Sequence, residues 1–144
     1  MKQFIITIIL TQLTYGFQVT FQLDASDLVA SPDGIHLAGN FNDPDGDGNE
    51  ENPGIPWWDP SGIEMTDEDG DEIYDVTLSL IEGTYQYKFI NGNDWSDQHD
   101  LFPDDDTCVE DGNRTITITT DIVIEPVCLG LCEPCDLSEI VFDN

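Results

Sequence analysis

The amino-acid sequence predicts an all-β protein, an antiparallel sandwich of about seven short strands. Three observations lead to this prediction. Apolar and polar residues alternate in several short segments, which is the period of a half-buried strand. Turn residues separate these segments, and the 144-residue chain contains 12 glycines and 8 prolines. No window has a sustained helical period, so strands have to bury each other's apolar faces.

The first four predicted strands lie between residues 17 and 80. Segment 17–23 alternates phenylalanine, valine and leucine with polar residues. The turn Ser31-Pro-Asp-Gly34 precedes segment 35–39, which ends at a glycine. Segment 63–65 is a short candidate, and segment 74–80 again alternates apolar and polar residues.

The remaining three strands follow Glu82-Gly83, which makes a tight connection. Segment 85–90 places two tyrosines and a phenylalanine on one side and ends at Asn91-Gly92, a strong hairpin signal. Segment 115–119 alternates isoleucine with threonine, and segment 122–124 ends before Pro126.

Composition and charge exclude several classes of protein. The chain has 31 Asp and Glu against 3 Lys and Arg, a formal net charge of −28. A binder that neutralises nucleic-acid phosphates or anionic lipid needs clustered cations, and this chain has none. An apolar content of 39% also excludes a disordered acidic tail.

The two ends of the chain differ from the middle. Residues 1–16 contain the apolar run 4–10 followed by small residues, which predicts a secretory signal peptide; the alternative is a buried N-terminal strand. We expect a secreted or cell-surface protein with a β-sandwich module at 17–127 and a Cys-rich tail or linker at 128–144. Removal of residues 1–16 leaves Lys88 and Arg114 as the only permanent cations.

Four cysteines lie in the last third of the chain. An even set in an exported protein predicts two disulfides, with three possible connectivities. A zinc site is the alternative, but a second CxxC motif and a nearby histidine are missing. The cysteines are Cys108, Cys128, Cys132 and Cys135.

Acidic loops suggest calcium. Asp43, Asp45 and Asp47 alternate before a glycine, as carboxylates do when they converge on one hard cation, and Glu50 or Glu51 could complete the site. The loop is not an EF-hand, because its twelfth position is a glycine and helices are not predicted around it. Segment 67–71 is a weaker match that also fits a hairpin turn, and 104–106 is a third acidic cluster. The alternative is a solvated acidic surface.

The tryptophans lie in turn-rich segments. Trp57 and Trp58 stand between two prolines, and Trp95 follows the Asn91-Gly92 turn. Such residues either cover the core or stack on the apolar face of a sugar. The two histidines belong to no recognisable catalytic arrangement, so we expect no enzyme activity.

An ordered set of motifs carries a family resemblance. The segments "DGIHLAGNFN" (33–42), "WDP" (58–60), "EGTYQYKF" (82–89) and "NGNDW" (91–95) resemble family 48 carbohydrate-binding modules, which include the glycogen-binding modules of AMP-activated kinase β subunits. The resemblance covers about residues 17–124. The acidic turns and the cysteine spacing further resemble secreted modules of marine Bacteroidetes.

The resemblance implies an early-set immunoglobulin-like sandwich that binds α-glucans. It implies stacking by Trp58 and Trp95, and hydrogen bonds from Lys88 and Asn113, with Arg114 beside them. The chain departs from the family in the segment 43–57, which intervenes before the first tryptophan and either holds the site open or covers it.

Three hypotheses remain at this point. The first is a non-catalytic module that binds an α-glucan polysaccharide. The second is a structural or adhesive surface module, stabilised by calcium and disulfides, whose tryptophans belong to the core. The third is a fragment of a longer enzyme. None involves nucleic acid or membrane insertion, and other modules of a longer secreted protein are possible partners.

Overall fold

The alternating segments of the sequence form the strands of two packed sheets. The computed structural model describes residues 15–102 and 107–135, which contain ten strands and no helix. No helix in these ranges could therefore cross a membrane. The strands are β1 (Phe17–Asp24), β2 (Ile35–Gly39), β3 (Ile63–Met65), β4 (Ile73–Leu80), β5 (Gly83–Asn91), β6 (Gln98–His99), β7 (Val109–Glu110), β8 (Asn113–Ile118), β9 (Ile122–Val123) and β10 (Val127–Cys128).

The first sheet is built around β1. Strand β4 pairs with β1 in antiparallel register over its whole length, from Phe17 opposite Leu80 to Asp24 opposite Ile73. The short strands β9 and β10 pair with β1 in parallel orientation. The prediction of antiparallel pairing therefore describes the long pair of this sheet but not its two short ones.

The second sheet has the order β3-β2-β5-β8-β7, with β6 paired to the end of β5. All of its pairs are antiparallel. Strand β5 is central, with Ala38 of β2 opposite Lys88 and Arg114 of β8 opposite Tyr87. Because side chains alternate along a strand, Lys88 lies on the outer face and Tyr87 on the face toward the first sheet.

The core lies between the two sheets and is rich in aromatic rings. Phe21 of β1 packs edge-on against Phe41 and Tyr87, with ring centroids 5.3 and 4.9 Å apart. Burial of large side chains on both inner faces is the main stabilising contribution of such a sandwich. The largest fully buried side chains are Tyr85, Phe21, Phe41, Phe89, Leu23, Ile35, Leu37, Met65, Leu80, Ile90, Ile118 and Val19.

The all-β prediction is confirmed, with three additional strands. Strands β6, β7 and β10 have two residues each, which is too short to show an alternating pattern. The Cys-rich segment predicted as a tail packs against the sandwich as far as Cys135, because β10 pairs with β1. Most of the predicted signal peptide (1–14), the acidic cluster 104–106 and the chain end 136–144 lie outside the described residues.

Candidate functional site

Two of the three tryptophans come together from separate loops. The ring centroids of Trp58 and Trp95 are 6.4 Å apart, and the ring planes are inclined by 48°. Trp95 is 38% exposed and Trp58 is half-buried, whereas the neighbouring Trp57 is 48% exposed. The predicted stacking residues therefore form one aromatic pair at the surface, and the long segment before Trp58 leaves it accessible.

Trp58 is held in an unusual backbone conformation. Its φ angle is +44°, a left-handed value that generally costs a residue with a side chain about 1–2 kcal/mol. The Trp58 amide donates to the carbonyl of Gly39, 2.9 Å away, which anchors the loop to the end of β2. Strain of this kind persists only where the surroundings enforce it, and it is concentrated at functional sites.

Trp95 lies in the turn between β5 and β6. The ring of His99 meets the Trp95 ring nearly at a right angle, with centroids 5.6 Å apart. At the start of the turn, Nδ1 of the buried His36 lies 2.7 Å from the carbonyl oxygen of Gly92. A carbonyl only accepts, so His36 carries its proton on Nδ1 and fixes the turn to β2.

The two predicted polar contacts lie on the outer face of the second sheet. The Lys88 ammonium donates to the carbonyl oxygen of Asp100 at 2.9 Å, which leaves two of its three donors without a partner among the described residues. Partial burial lowers the pKa of Lys88, and the negative charge of Asp100 opposes this effect. The Asn113 amide donates to Oε1 of Gln86 at 3.2 Å.

Arg114 does not lie at this surface, and the expectation that it stands beside the ligand is not supported. It is 2% exposed and forms a two-pronged ion pair with the fully buried Asp100, with Nε–Oδ2 at 2.7 Å and Nη2–Oδ1 at 2.8 Å. Its guanidinium lies between the rings of Phe89 and Phe102, 5.1 and 4.8 Å from their centroids. Arg114 is therefore a structural residue of the interior.

The disulfide-bonded segment closes over this ion pair. Nη1 and Nη2 of Arg114 donate to the carbonyls of Leu131 and Cys128, and the Gly130 amide donates to Oδ1 of Asp100 at 2.7 Å. The cysteines pair as Cys108–Cys132 and Cys128–Cys135, which resolves the three possible connectivities. This pairing confirms the predicted structural disulfides and is compatible with an extracellular protein.

The first acidic loop assembles four carboxylates, but not the expected four. Oxygens of Asp43, Asp45, Asp47 and Glu51 lie within 4.8 Å of one another, whereas Glu50 is exposed and outside the group. Oε2 of Glu51 is buried and has no hydrogen-bond partner among the described residues. Burial raises the pKa of Glu51, and repulsion from the three aspartates adds to the shift.

The second acidic loop is a hairpin turn. A bridge between Thr66 and Asp75 connects the end of β3 to β4, and the Asp67 carboxylate accepts from three backbone amides of the turn. Oxygens of Asp67, Asp69 and Asp71 also lie within 4.8 Å of one another. All three contribute to the turn itself, so this cluster has a structural explanation.

Comparison with known proteins adds no assignment. No protein-family model matches the chain, and no curated protein matches it significantly. The likeness to family 48 modules therefore rests on the motifs of the sequence.

Proposed function

We propose that this protein is a secreted, non-catalytic module that binds an α-glucan polysaccharide. Trp58 and Trp95 stack on the sugar rings, and Lys88 and Asn113 donate hydrogen bonds to hydroxyls. The observation that carries the proposal is the meeting of the two tryptophans, whose ring centroids are 6.4 Å apart and whose side chains are partly exposed, although they lie 37 positions apart in the chain.

The chemistry of the pair suits a sugar. An indole face is apolar and complements the C–H face of a pyranose ring, and both loops are held before any ligand arrives. Two rings inclined by 48° do not form a flat strip. Ring faces set at an angle suit the curved chain of an α-glucan better than the flat ribbon of a β-1,4-glucan.

The backbone of Trp58 supports a functional role. A tryptophan needed only to cover the core would gain nothing from a left-handed φ, and glycine would adopt that conformation without strain. Trp58→Gly should therefore remove the indole ring and also relieve the backbone strain at position 58. Loss of binding without loss of stability distinguishes a ligand platform from a core lid.

The experiment is affinity electrophoresis of the purified chain in native gels with amylopectin, with hydroxyethylcellulose as the flat-chain comparison. Amylopectin should retard the wild type, and Trp95→Ala and Trp58→Gly should abolish this retardation. Trp57→Ala is the matched control, because it removes an exposed indole that has no ring contact with another aromatic residue of the described ranges. Unchanged wild-type mobility in amylopectin would refute the proposal.

A second candidate function is that of a structural or adhesive module of a cell-surface protein, stabilised by calcium and by the two disulfides. The orphaned Oε2 of Glu51, whose carboxylate belongs to the group of four, favours it. Four carboxylates offer the hard oxygen ligands that calcium prefers, and a bound cation would relieve their repulsion.

Thermal unfolding with calcium and then with a chelator tests this candidate. Calcium should raise the melting temperature of the wild type and of Glu50→Gln, but not that of Glu51→Gln, because only Glu51 lies in the carboxylate group. Equal calcium responses of the two glutamate variants would contradict this site.

A further inference from the structure

We propose that Asp97 is the positioning residue of the sugar platform: its carboxylate closes the turn that holds Trp95 against Trp58. The inference rests on the proposed function for its consequence, the binding of glucan. The geometry of the turn can be tested without any ligand.

The carboxylate of Asp97 ties both sides of Trp95 together. Its Oδ2 accepts from the backbone amides of Asn93 and Asp94, each at 3.0 Å. The Asp97 amide donates in turn to the carbonyl of Asp94 at 2.9 Å. The chain is therefore fixed at Asp94, directly before the tryptophan, and at Asp97, two residues after it, and the exposed ring projects from a closed loop.

Two neighbours of Asp97 extend this arrangement. Gly92 has a φ of +142°, and a methyl group added there would collide with the Asp97 carboxylate. Glycine is thus required both for the backbone conformation and for the close approach of the carboxylate. On the other side, Nδ1 of His99 donates to the Asp97 carbonyl at 2.9 Å, which orients the imidazole that packs on Trp95.

Among the described residues, the hydrogen bonds of Asp97 run to Asn93, Asp94 and His99, and none reaches a core residue or a predicted sugar-binding side chain. Asp97 acts on Trp95 through the backbone. Removal of the Asp97 carboxylate should therefore displace the indole of Trp95, whereas the sandwich should remain folded. A single oxygen accepts both amides, and the side-chain oxygen of asparagine could take that position. Asp97→Asn should therefore retain the geometry, which separates the effect of shape from the effect of charge.

The test measures the exciton couplet that two close, inclined indoles produce in circular dichroism. Trp95→Ala defines the spectrum without the pair. Asp97→Ala and Gly92→Ala should approach that spectrum and bind amylopectin about tenfold more weakly, since two charge-assisted hydrogen bonds are lost or displaced. Asp97→Asn should keep most of the couplet and of the affinity.

Asp67→Ala is the matched control. It removes the same charge and the same kind of carboxylate-to-amide bonds, but from a turn without a tryptophan. The proposal would be overturned if Asp97→Ala kept the wild-type couplet, or if Asp67→Ala lost it to the same extent. A wild-type spectrum identical to that of Trp95→Ala would overturn it as well. If the expected couplets are found but amylopectin does not retard the wild-type protein, the positioning role of Asp97 stands and the proposed glucan binding is refuted.

Discussion

Replacing Arg114 by methionine should be among the most damaging single changes to this protein. Asp100 is fully buried, and it would keep only the amides of Phe89 and Gly130 as donors. The carbonyls of Cys128 and Leu131 would also lose their partner. Removing one member of a buried ion pair generally costs about 3–5 kcal/mol, because the remaining charge is left uncompensated.

The loss corresponds to a fall in melting temperature of about 12–20 °C, since a domain of roughly 120 residues has an unfolding entropy near 0.25 kcal/mol per degree. Urea unfolding followed by circular dichroism measures the free energy directly. Lys88→Met is the matched control, because it removes the same charge from the same acidic chain. Lys88 is only half-buried, so its replacement should change stability far less.

A double variant separates the two contributions. Adding Asp100→Asn to Arg114→Met removes the stranded charge and should restore part of the lost stability, so the two changes are not additive. This reasoning would be refuted if Arg114→Met were as stable as Lys88→Met but bound glucan more weakly. Arg114 would then be a ligand-binding residue.

Three further predictions follow from other contacts. Burial raises the pKa of Tyr87 to about 12. Because this pKa lies above the unfolded value of about 10, the protonated phenol stabilises the fold below pH 10, and about 3 kcal/mol of the free energy of unfolding should be lost as the pH rises from 10 to 12. Tyr87→Phe should lack this loss in alkaline unfolding curves. Replacing Cys108 and Cys132 by alanine removes a cross-link between residues 24 positions apart and should lower the free energy of unfolding in urea by about 3 kcal/mol. If the free energy of unfolding did not change measurably, that result would contradict the pairing. Trp58→Gly should melt at or above the wild-type temperature, and a drop of several degrees would show that the indole packs as core.

The sequence predicted the long strands because each buries one face. Period-two alternation is a direct consequence of that burial, so β1, β4 and β5 are found close to their predicted positions. The two-residue strands β6 and β10 are set by hydrogen bonds to β5 and β1, and such pairings leave no local pattern. The same limit applies to the disulfide connectivity, which depends on where distant segments meet.

The geometry of the candidate site follows from the sequence only in part. The motifs identified Trp58 and Trp95 as partners, but spacing alone could not show that their loops reach the same side. The choice between Glu50 and Glu51 depends on the turn of the loop after Asp47, which brings the second glutamate inward. Asp97 gave no signal among so many acidic residues, because its role lies in which amides its oxygen reaches.

Arg114 shows how a sequence signal can be present and still be missed. Ile116 and Ile118 predict the inward face of β8, and the same alternation continued by two residues places Arg114 on that face. The family resemblance placed this residue, one of the two cations left after removal of residues 1–16, beside the ligand. A field of 31 carboxylates, however, favours a cation at any surface position, so rarity carries little information about function. A cation retained in the interior instead needs a specific partner, and the buried Asp100, which accepts two hydrogen bonds from the guanidinium, is that partner.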